Sequence, residues 1–392
     1  MKKGWKYKKI KDVGEVIGGT TPSTTNPEFW GGDICWISPA ELHGEHYLYD
    51  SIKKITAKAV SAKSLKELPV GTVILSSRAP IGKIAINKVS MYCNQGFKCV
   101  VCGPELYNEF LYWWLYGKVD YLNSLGTGAT FKEISKTVVE NIVVPIPPLD
   151  EQQRIVSRLD AAFAHIDELK ANTEKQLNEA RALFQKALTK AMEPKEGWEE
   201  KKLEDLCTDI VDCPHSTPRK VDHPTKYPCI RTSELKGGKI EWESMQYLDE
   251  DEYIVRTARI KPQPNDIVYG REGTYGDAAL LPEGYCFSLG QRTMLFRPDV
   301  RYVAPKYLHY NVISSHVYKQ AKAKNSGCGV GHVNVKDIKV FKIGVPSLSE
   351  QQRIVSRLDS LSAHVRELEE VTQKIIAECD ALKQALLRQV FE

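Results

Sequence analysis

Apolar side chains in the last part of the chain recur at alternating steps of four and three residues. This spacing is the 3.5-residue seam of a coiled coil, and it is kept for about five heptads. No proline or glycine interrupts the segment, so the pattern predicts one long helix over 347–392. The seam residues are Ile354, Leu358, Leu361, Val365, Leu368, Thr372, Ile375, Cys379, Leu382 and Leu386.

The start of this predicted helix has a copy earlier in the chain. The ten residues over 151–160 recur letter for letter over 350–359. Shifting the seam back by the same 199 positions predicts a matching helix over 148–193. Its seam carries smaller residues, namely Ile155, Leu159, Ala162, Ile166, Leu169, Thr173, Gln176, Ala180, Leu183 and Ala187.

The repeat extends to the blocks that precede the two helices. Gly4-Trp5 near the start of the chain parallels Gly197-Trp198 after the first helix. The chain is therefore predicted to hold two copies of one unit, each a globular block followed by a helix. The predicted boundaries are 1–147 for the first block, 148–193 for the first helix, 194–346 for the second block and 347–392 for the second helix.

Two equal seams in one chain favour packing of the helices against each other, although pairing between two chains would bury the same residues. Antiparallel helices of about 40 residues would span on the order of 60 Å and hold the blocks apart. The blocks are predicted to be β-rich, with corresponding strands over 71–78 and 265–271 and short helices over 110–116 and 307–313. The predicted fold class is α+β, with two β-rich domains, two long antiparallel coiled-coil helices and a pseudo-twofold internal repeat.

Composition narrows the class of protein. A hydrophobic content of 42% and a charged content of 27% are those of a globular protein. The chain has no run of eighteen apolar residues, and no apolar stretch follows its lysine-rich start, so we expect a cytoplasmic location. Cys99 and Cys102 lie in a predicted buried strand without a second such pair, so no metal site is expected. The net charge of +4 is too small to indicate a nucleic-acid partner by itself.

Sequence motifs give no support for a catalytic site. Residues 26–29 approach the base-holding motif of amino-methyltransferases but lack its second proline, so we interpret them as a turn. Residues 327–331 lack the spacing of a dinucleotide-binding loop, and no phosphate-binding loop is present in the sequence. These features disfavour a stand-alone methyltransferase and predict no catalytic residue for this chain.

The two helix starts carry a resemblance to a known family. Residues 147–155, and again 347–354, resemble the helix starts of the specificity subunit of Type I restriction–modification enzymes. The resemblance covers the whole chain in the order block, helix, block, helix.

This resemblance implies that each block is a target recognition domain that reads one half of a split site on double-stranded DNA. The helices would set the distance between the halves and dock two methyltransferase subunits, through which restriction subunits join. Catalysis and its cofactors (S-adenosylmethionine, ATP and magnesium) would then belong to the partner subunits, and this chain would hold none.

Polar and basic residues in the best-matched loops of each block are the candidates for DNA contact. Hydroxyl, amide and cationic groups suit phosphates and base edges, and glycine-rich loops let a backbone approach closely. A purely structural turn would explain the glycine loops equally well. The candidates are Thr20, Thr21, Ser23, Arg78, Lys83, Thr127, Thr130 and Lys132 in the first block, and His215, Arg219, Arg271, Arg292, Ser326, His332 and Asn334 in the second.

The residues identical in both helix starts are interpreted as two equivalent docking surfaces for the methyltransferase subunits. Ten identical residues exceed what helix packing needs, while the blocks have diverged. The candidates are Gln152, Gln153, Arg154, Gln351, Gln352 and Arg353. The alternative from a different class is a protein-interaction scaffold with two binding blocks on a coiled-coil strut. DNA binding would weaken steeply with salt, whereas an apolar protein interface would not.

Overall fold

The computed structural model describes residues 4–78, 80–128, 132–273, 276–324 and 331–392. The chain divides into two compact units, Met1–Thr173 with Gln373–Glu392, and Glu174–Thr372. Each unit therefore combines one globular block with one part of each long helix.

The elements of the first block alternate short strands with short helices. Its strands are β1 (Lys6–Lys9), β2 (Gly14–Gly18), β3 (Trp30–Ile37), β4 (Tyr47–Leu48), β5 (Lys54–Ile55), β6 (Val73–Leu75), β7 (Ile84–Asn87), β8 (Tyr92–Cys93), β9 (Lys98–Cys102) and β10 (Val143–Ile146). Its helices are α1 (Ile10–Val13), α2 (Ala57–Lys63), α3 (Asn108–Tyr116), α4 (Val119–Ser124) and α5 (Lys136–Glu140), and the long helix α6 (Leu149–Met192) follows.

The second block repeats this layout. Its strands are β11 (Glu199–Lys202), β12 (Cys207–Asp212), β13 (Lys220–Val221), β14 (Pro228–Ile230), β15 (Leu235–Lys236), β16 (Lys239–Ile240), β17 (Gln246–Leu248), β18 (Ile267–Gly270), β19 (Ala278–Leu280), β20 (Ser288–Leu289), β21 (Thr293–Pro298) and β22 (Lys342–Val345). Its helices are α7 (Glu250–Arg256), α8 (Pro305–Val312), α9 (Ser315–Ala323) and α10 (Val335–Lys339), and the long helix α11 (Leu348–Phe391) follows.

Corresponding strands pair in corresponding ways. Within the described residues, the main sheet of the first block has the order β2-β9-β6-β7-β4, and that of the second has the order β12-β21-β18-β19. Smaller sheets, β5-β3-β8 and β13-β17-β14-β20, lie beside them. In each block the first strand closes antiparallel on the last, β1 on β10 and β11 on β22. This closure brings the end of the block directly to the start of the long helix.

The core of the first unit lies between its main sheet and the helices. Phe110, Leu111 and Leu115 of α3 are almost fully buried, so this short helix is apolar on most sides. Val156 of α6 and Leu387 of α11 belong to the same cluster. Because a fully buried large apolar side chain contributes about 1.5–3 kcal/mol, these contacts fix the block firmly to both helices.

The second unit is built in the same way. Leu188 and Met192 of α6 and Leu358 of α11 join the core around α8. Arg181 Nη2 of α6 lies 2.9 Å from Glu369 Oε1 of α11. Segments of both long helices therefore pack on the second block, and this ion pair links them to each other.

The helix segments in the first unit run antiparallel. Lys170 Nζ lies 3.3 Å from Asp380 Oδ1, and Lys383 Nζ lies 2.5 Å from Asp167 Oδ1. Rising residue numbers on α6 thus meet falling numbers on α11. The prediction of an α+β fold with two long antiparallel helices in one chain is confirmed.

The predicted seam of α6 is right at alternate positions and wrong by one residue at the others. Leu169 and Leu183 were predicted to be buried but are 52% and 67% exposed, as is Leu382 of α11 at 50%. The register copied from α11 selects Ala162 and Gln176. The buried residues of α6 are instead their neighbours Phe163 and Leu177, which have larger apolar side chains. The buried residues along α6 include Val156, Leu159, Phe163, Ile166, Thr173, Leu177 and Leu188.

Candidate nucleic-acid interface

The polar tract 20–25 of the first block is fixed to the strands behind it. Trp30 Nε1 donates to Ser23 O at 3.0 Å, and Trp36 Nε1 donates to Thr20 O at 3.1 Å. Two indole N–H groups thus satisfy carbonyls of a loop that would otherwise need water. The side chain of Thr20 remains exposed, whereas Thr21 and Ser23 are half-buried.

A second loop, 94–97, joins this tract to the end of β6. Asn94 Nδ2 donates to Thr21 Oγ1 at 2.7 Å, and Thr21 also hydrogen-bonds the Gln95 side chain. Lys98 Nζ donates to Gln95 O at 3.2 Å and to Ser77 Oγ at 3.1 Å. Asn94, Gln95 and Lys98 were not singled out in the sequence, because the loop carries no glycine pattern that marks it.

Glu133 anchors two cations at the centre of this surface. Arg78 Nε donates to Glu133 Oε2 at 2.9 Å, and Lys98 Nζ lies 3.3 Å from Glu133 Oε1. Burial opposes ionisation of Glu133, but the hydrogen bonds from Arg78 and Lys98 outweigh it and lower its pKa. Arg78 is 47% exposed, so Glu133 directs a cation that stays accessible from solvent.

The end of the glycine loop pairs with the backbone of Glu133. Thr127 N donates to Glu133 O at 3.0 Å, and Glu133 N donates to Thr127 O at 2.9 Å. The side chains of Thr127 and Lys132 are exposed beside this pair. Thr130 lies outside the described residues. The structure thus brings Thr21, Arg78 and Thr127 into one polar surface.

Lys83 does not contribute a free cation to this surface. Its Nζ donates to Leu42 O at 2.7 Å and to Pro39 O at 3.3 Å. Most of its hydrogen-bonding capacity is used within the block, and a DNA contact at Lys83 stays a prediction. Lys83 and Arg78 lie in the same matched loop, so the sequence does not distinguish them.

The second block carries a cluster of opposite charges at the matching place. Arg271 Nε donates to Asp212 Oδ1 at 2.9 Å, and Arg271 Nη1 donates to Glu272 Oε1 at 3.1 Å. Glu272 also pairs with Arg292 at 3.2 Å and with His332 at 3.1 Å. Two carboxylates thus hold three nitrogen-bearing side chains in fixed positions.

Exposure separates the supporting members of this cluster from the accessible ones. Arg271 is only 6% exposed, so most of its side chain supports the cluster, and a DNA contact at Arg271 stays a prediction. The side chains of His215 and Arg292 are 71% and 56% exposed. His215 Nε2 lies 3.3 Å from Asp212 Oδ2. His215, Arg292 and Gln291 line a small cleft of about 200 Å³ at this surface.

Arg292 has an unusual backbone conformation. Its φ is +68°, in the left-handed region that residues with a side chain seldom adopt. Such a residue costs about 1 kcal/mol or more and persists only where its surroundings hold it. Here Arg271 N donates to Arg292 O at 3.0 Å, which fixes the turn. The Arg292 side chain is exposed at this turn and lines the cleft.

The two blocks place different residues at equivalent positions. Arg78 forms a backbone bridge with Glu133, and Glu272 forms the equivalent bridge with His332. This strand pairing aligns Arg78 with Glu272. The charges are therefore exchanged between the blocks, and the two surfaces offer different donors and acceptors.

The remaining candidates of the second block lie at different places. His332 Nε2 lies 3.3 Å from Asn334 Oδ1, so Asn334 orients the histidine from the start of α10. Arg219 instead pairs with Asp249 at 3.3 Å, at the N-terminus of α7. Ser326 lies outside the described residues.

The identical helix starts contain a buried glutamine in each copy. Gln152 and Gln351 are 0% exposed. Gln152 Oε1 accepts from Tyr107 N at 2.8 Å, while its Nε2 donates to Glu105 O and Pro147 O, each at 2.9 Å. The prediction that Gln152 docks a partner is thus corrected, because its side chain is buried and its amide is hydrogen-bonded within the chain.

Gln351 makes the same three bonds in the second unit. Its Oε1 accepts from Ala304 N at 2.8 Å, and its Nε2 donates to Tyr302 O and Pro346 O, each at 3.0 Å. The same correction applies to Gln351. Both glutamines tie the start of a long helix to the block, which explains their identity in the two copies.

The other members of the repeated set lie on the surface. Their side chains point away from the core, which suits contacts with another subunit but does not require them. These exposed residues are Gln153, Arg154, Gln352 and Arg353. Within the described ranges, no helix has the length and apolar character needed to cross a bilayer, and no group of three or more His, Cys, Asp or Glu is placed to hold a metal ion.

Comparison with known proteins agrees with this architecture. Residues 2–179 and 195–378 each match the Type I restriction modification DNA specificity domain. The MjaIX specificity subunit of Methanocaldococcus jannaschii is 35% identical over 275 residues, which is 63% of this chain and 62% of that subunit. The match thus spans less than two thirds of that relative. The EcoKI specificity subunit of Escherichia coli K12 is 26% identical, over 80% of this chain and 72% of that subunit.

A solved structure shows the same fold. It describes complex assembly and conformational transition of a type I R-M system, and one of its chains superposes with a TM-score of 0.78 at 20% identity. The match covers 100% of this chain and 98% of that chain. With both blocks matched in sequence and the whole chain matched in fold, this protein belongs to the Type I restriction modification DNA specificity domain family and carries two copies of that domain.

Proposed function

We propose that this chain is the sequence-specificity subunit of a Type I restriction–modification complex, in which each block reads one half of a split DNA site. The observation that carries the proposal is the pair of matched polar surfaces, one around Arg78 and Glu133, the other around Arg292 and Glu272. They stand at equivalent strand ends but offer different groups. Two readers that differ in this way suit two half-sites of different sequence.

The two long helices supply the second part of the proposal. A rigid antiparallel pair between two readers would fix the number of base pairs between the half-sites, as protein geometry does for dimeric repressors. The exposed residues of the repeated helix starts, Gln153 and Arg154 with Gln352 and Arg353, would dock two identical methyltransferase subunits.

Chemistry in this proposal belongs to the partner subunits. S-adenosylmethionine, ATP and magnesium would bind there, and the methyltransferase would take the target base out of the duplex. This chain would supply recognition, orientation and spacing. The purified chain should therefore transfer no methyl group to DNA when mixed with S-adenosylmethionine alone, and turnover by it would contradict this division of labour.

Mapping of methylated bases tests the reading roles directly. The chain is co-expressed with its methyltransferase partner, and the methylated motif is read from genomic DNA. Arg78→Ala should relax or abolish one half of the motif, and Arg292→Ala should affect only the other half. Arg301→Ala, which changes an exposed arginine that pairs with Asp299 outside the cluster, is the matched control and should leave both halves intact.

Two outcomes would overturn the proposal. The first is a motif in which Arg78→Ala and Arg292→Ala alter the same half. The second is DNA binding by the chain that is equally strong at low and at physiological salt. Phosphate contacts release counterions, so DNA binding through them should weaken strongly as salt rises. The second result would favour the protein-interaction scaffold.

A further inference from the structure

The second unit has an open cleft where the first unit has a packed aromatic core. The bonds of Gln152 and Gln351 align Tyr107 with Ala304, and therefore α3 with α8. A second shared contact confirms this alignment. Trp113 Nε1 donates to Asp160 Oδ1 at 2.8 Å, and Tyr310 Oη donates to Asp359 Oδ1 at 2.8 Å.

In the first unit this place is filled by aromatic rings. The ring centroids of Trp113 and Phe163 lie 4.5 Å apart, and those of Trp113 and Tyr116 lie 5.7 Å apart. Lys383 Nζ covers the Phe163 ring at 5.0 Å. Phe163 is 5% exposed, so no room is left there for a ligand.

In the second unit the equivalent side chains are smaller. Ser362 stands where the repeat places Phe163, and Ile313 stands where it places Tyr116. The result is a cleft of about 370 Å³, a size within the usual range for small-molecule sites. Phe184, Tyr310 and Val365 form part of its wall.

The lining combines aromatic surface with an excess of positive charge. Four cations, Arg181, Lys239, Lys306 and Arg366, line it together with the carboxylates Asp359 and Glu369. Glu369 is paired with Arg181 at 2.9 Å and with Lys239 at 3.4 Å, and Asp359 is paired with Lys306 at 2.6 Å.

Arg366 is the cation of this lining that neither Glu369 nor Asp359 pairs with. It forms no ion pair or hydrogen bond with any residue in the described part of the chain. An arginine beside an aromatic wall, without an internal counter-charge, suits a bound anion that carries a planar body. Gly237 and Gly238 form the turn between β15 and β16 with positive φ, and their backbone lines the same cleft.

We propose that this cleft binds a small aromatic phosphate ester of about the size of a nucleoside monophosphate. The ring would lie against Phe184 and Tyr310, and the phosphate would meet Arg366 and Lys239. The first unit cannot bind the same ligand, because Phe163 and Trp113 occupy the place. The site therefore breaks the functional symmetry of a chain built from two copies.

Isothermal titration calorimetry on the full-length chain tests this proposal. AMP and phenyl phosphate are the probes, and adenosine and inorganic phosphate are the partial ligands. AMP and phenyl phosphate should bind saturably with a Kd of about 1 mM or tighter, and each partial ligand at least about tenfold more weakly. Failure of both esters to saturate would overturn the proposal.

Variants locate the site. Ser362→Phe restores the aromatic side chain of the first unit and should lower AMP affinity by at least about tenfold. Ser360→Phe places the same ring on the exposed side of the helix and should leave binding unchanged. Arg366→Gln should weaken AMP but not adenosine, and it serves as the test if Ser362→Phe fails to fold. Equal AMP binding by wild type, Ser362→Phe and Arg366→Gln, or loss of AMP binding on adding a DNA duplex, would contradict this site.

Discussion

Replacing Gln152 by methionine should destabilise the first unit by about 3 kcal/mol. Methionine has a similar shape but cannot replace the bonds to Tyr107 N, Glu105 O and Pro147 O, which are 2.8–2.9 Å long. A buried polar group left without a partner costs about 1–3 kcal/mol. Because Tyr107 is half-buried and Glu105 is exposed, water can reach two of the three groups in part, which keeps the total near the lower end.

Urea unfolding followed by tryptophan fluorescence measures this loss selectively. Five of the seven tryptophans lie in the first unit, namely Trp5, Trp30, Trp36, Trp113 and Trp114. If the free energy of unfolding falls by about 2 kcal/mol per molar urea, the midpoint of the fluorescence-detected unfolding transition should fall by about 1.5 M.

The neighbouring glutamine supplies the control. Gln153 is exposed, so Gln153→Met should change the free energy of unfolding by less than about 0.5 kcal/mol. If Gln152→Met and Gln153→Met had the same midpoint, the buried glutamine would not tie the helix to the block, and the identity of the helix starts would need another explanation.

Three further predictions concern the second unit, the first block and the helices. Burial lowers the pKa of His309 from 6.5 to about 4. The free energy of unfolding should therefore fall by about 3 kcal/mol as the pH drops from 7 to 4, because only the unfolded chain protonates this histidine readily. Urea denaturation of His309→Gln over the same pH range should show a smaller fall. Lys83→Met should lower the unfolding midpoint of the first unit, because two hydrogen bonds to backbone carbonyls are lost. A loss of DNA affinity with an unchanged midpoint would instead identify Lys83 as a DNA contact. Inserting one heptad in both helices, after Thr173 and Thr372, should add about 10 Å and widen the gap in the methylated motif by about three base pairs; altered half-sites with an unchanged gap would contradict the spacing role.

The sequence predicts the architecture well because the repeat and the seam are local patterns. Both long helices follow from spacing, whereas their pairing within one chain is inferred from the presence of two equal seams. The exact seam of α6 does not, because copying a register assumes equal contacts in both copies. Phe163 and Leu177 break that assumption, since each is larger than the residue that the copied register selects.

The candidate site is less predictable because non-local pairing builds it. Asp212 on β12 meets Arg271 at the end of β18, and no spacing in the chain reveals that contact. Glu133 likewise meets Arg78 across 55 positions. Gln152 was assigned to the surface because identity in two copies resembles a shared partner, whereas an identical internal bond explains it.

The bonds made by Gln152 and Gln351 have a consequence for how such chains evolve. Each glutamine contacts backbone atoms of its block, and the three contacts depend on no side chain there. A block can therefore drift in sequence, or be exchanged by recombination for a foreign block with the same chain path, without disturbing the joint. New recognition can then arise by swapping whole modules, while the connector itself stays unchanged.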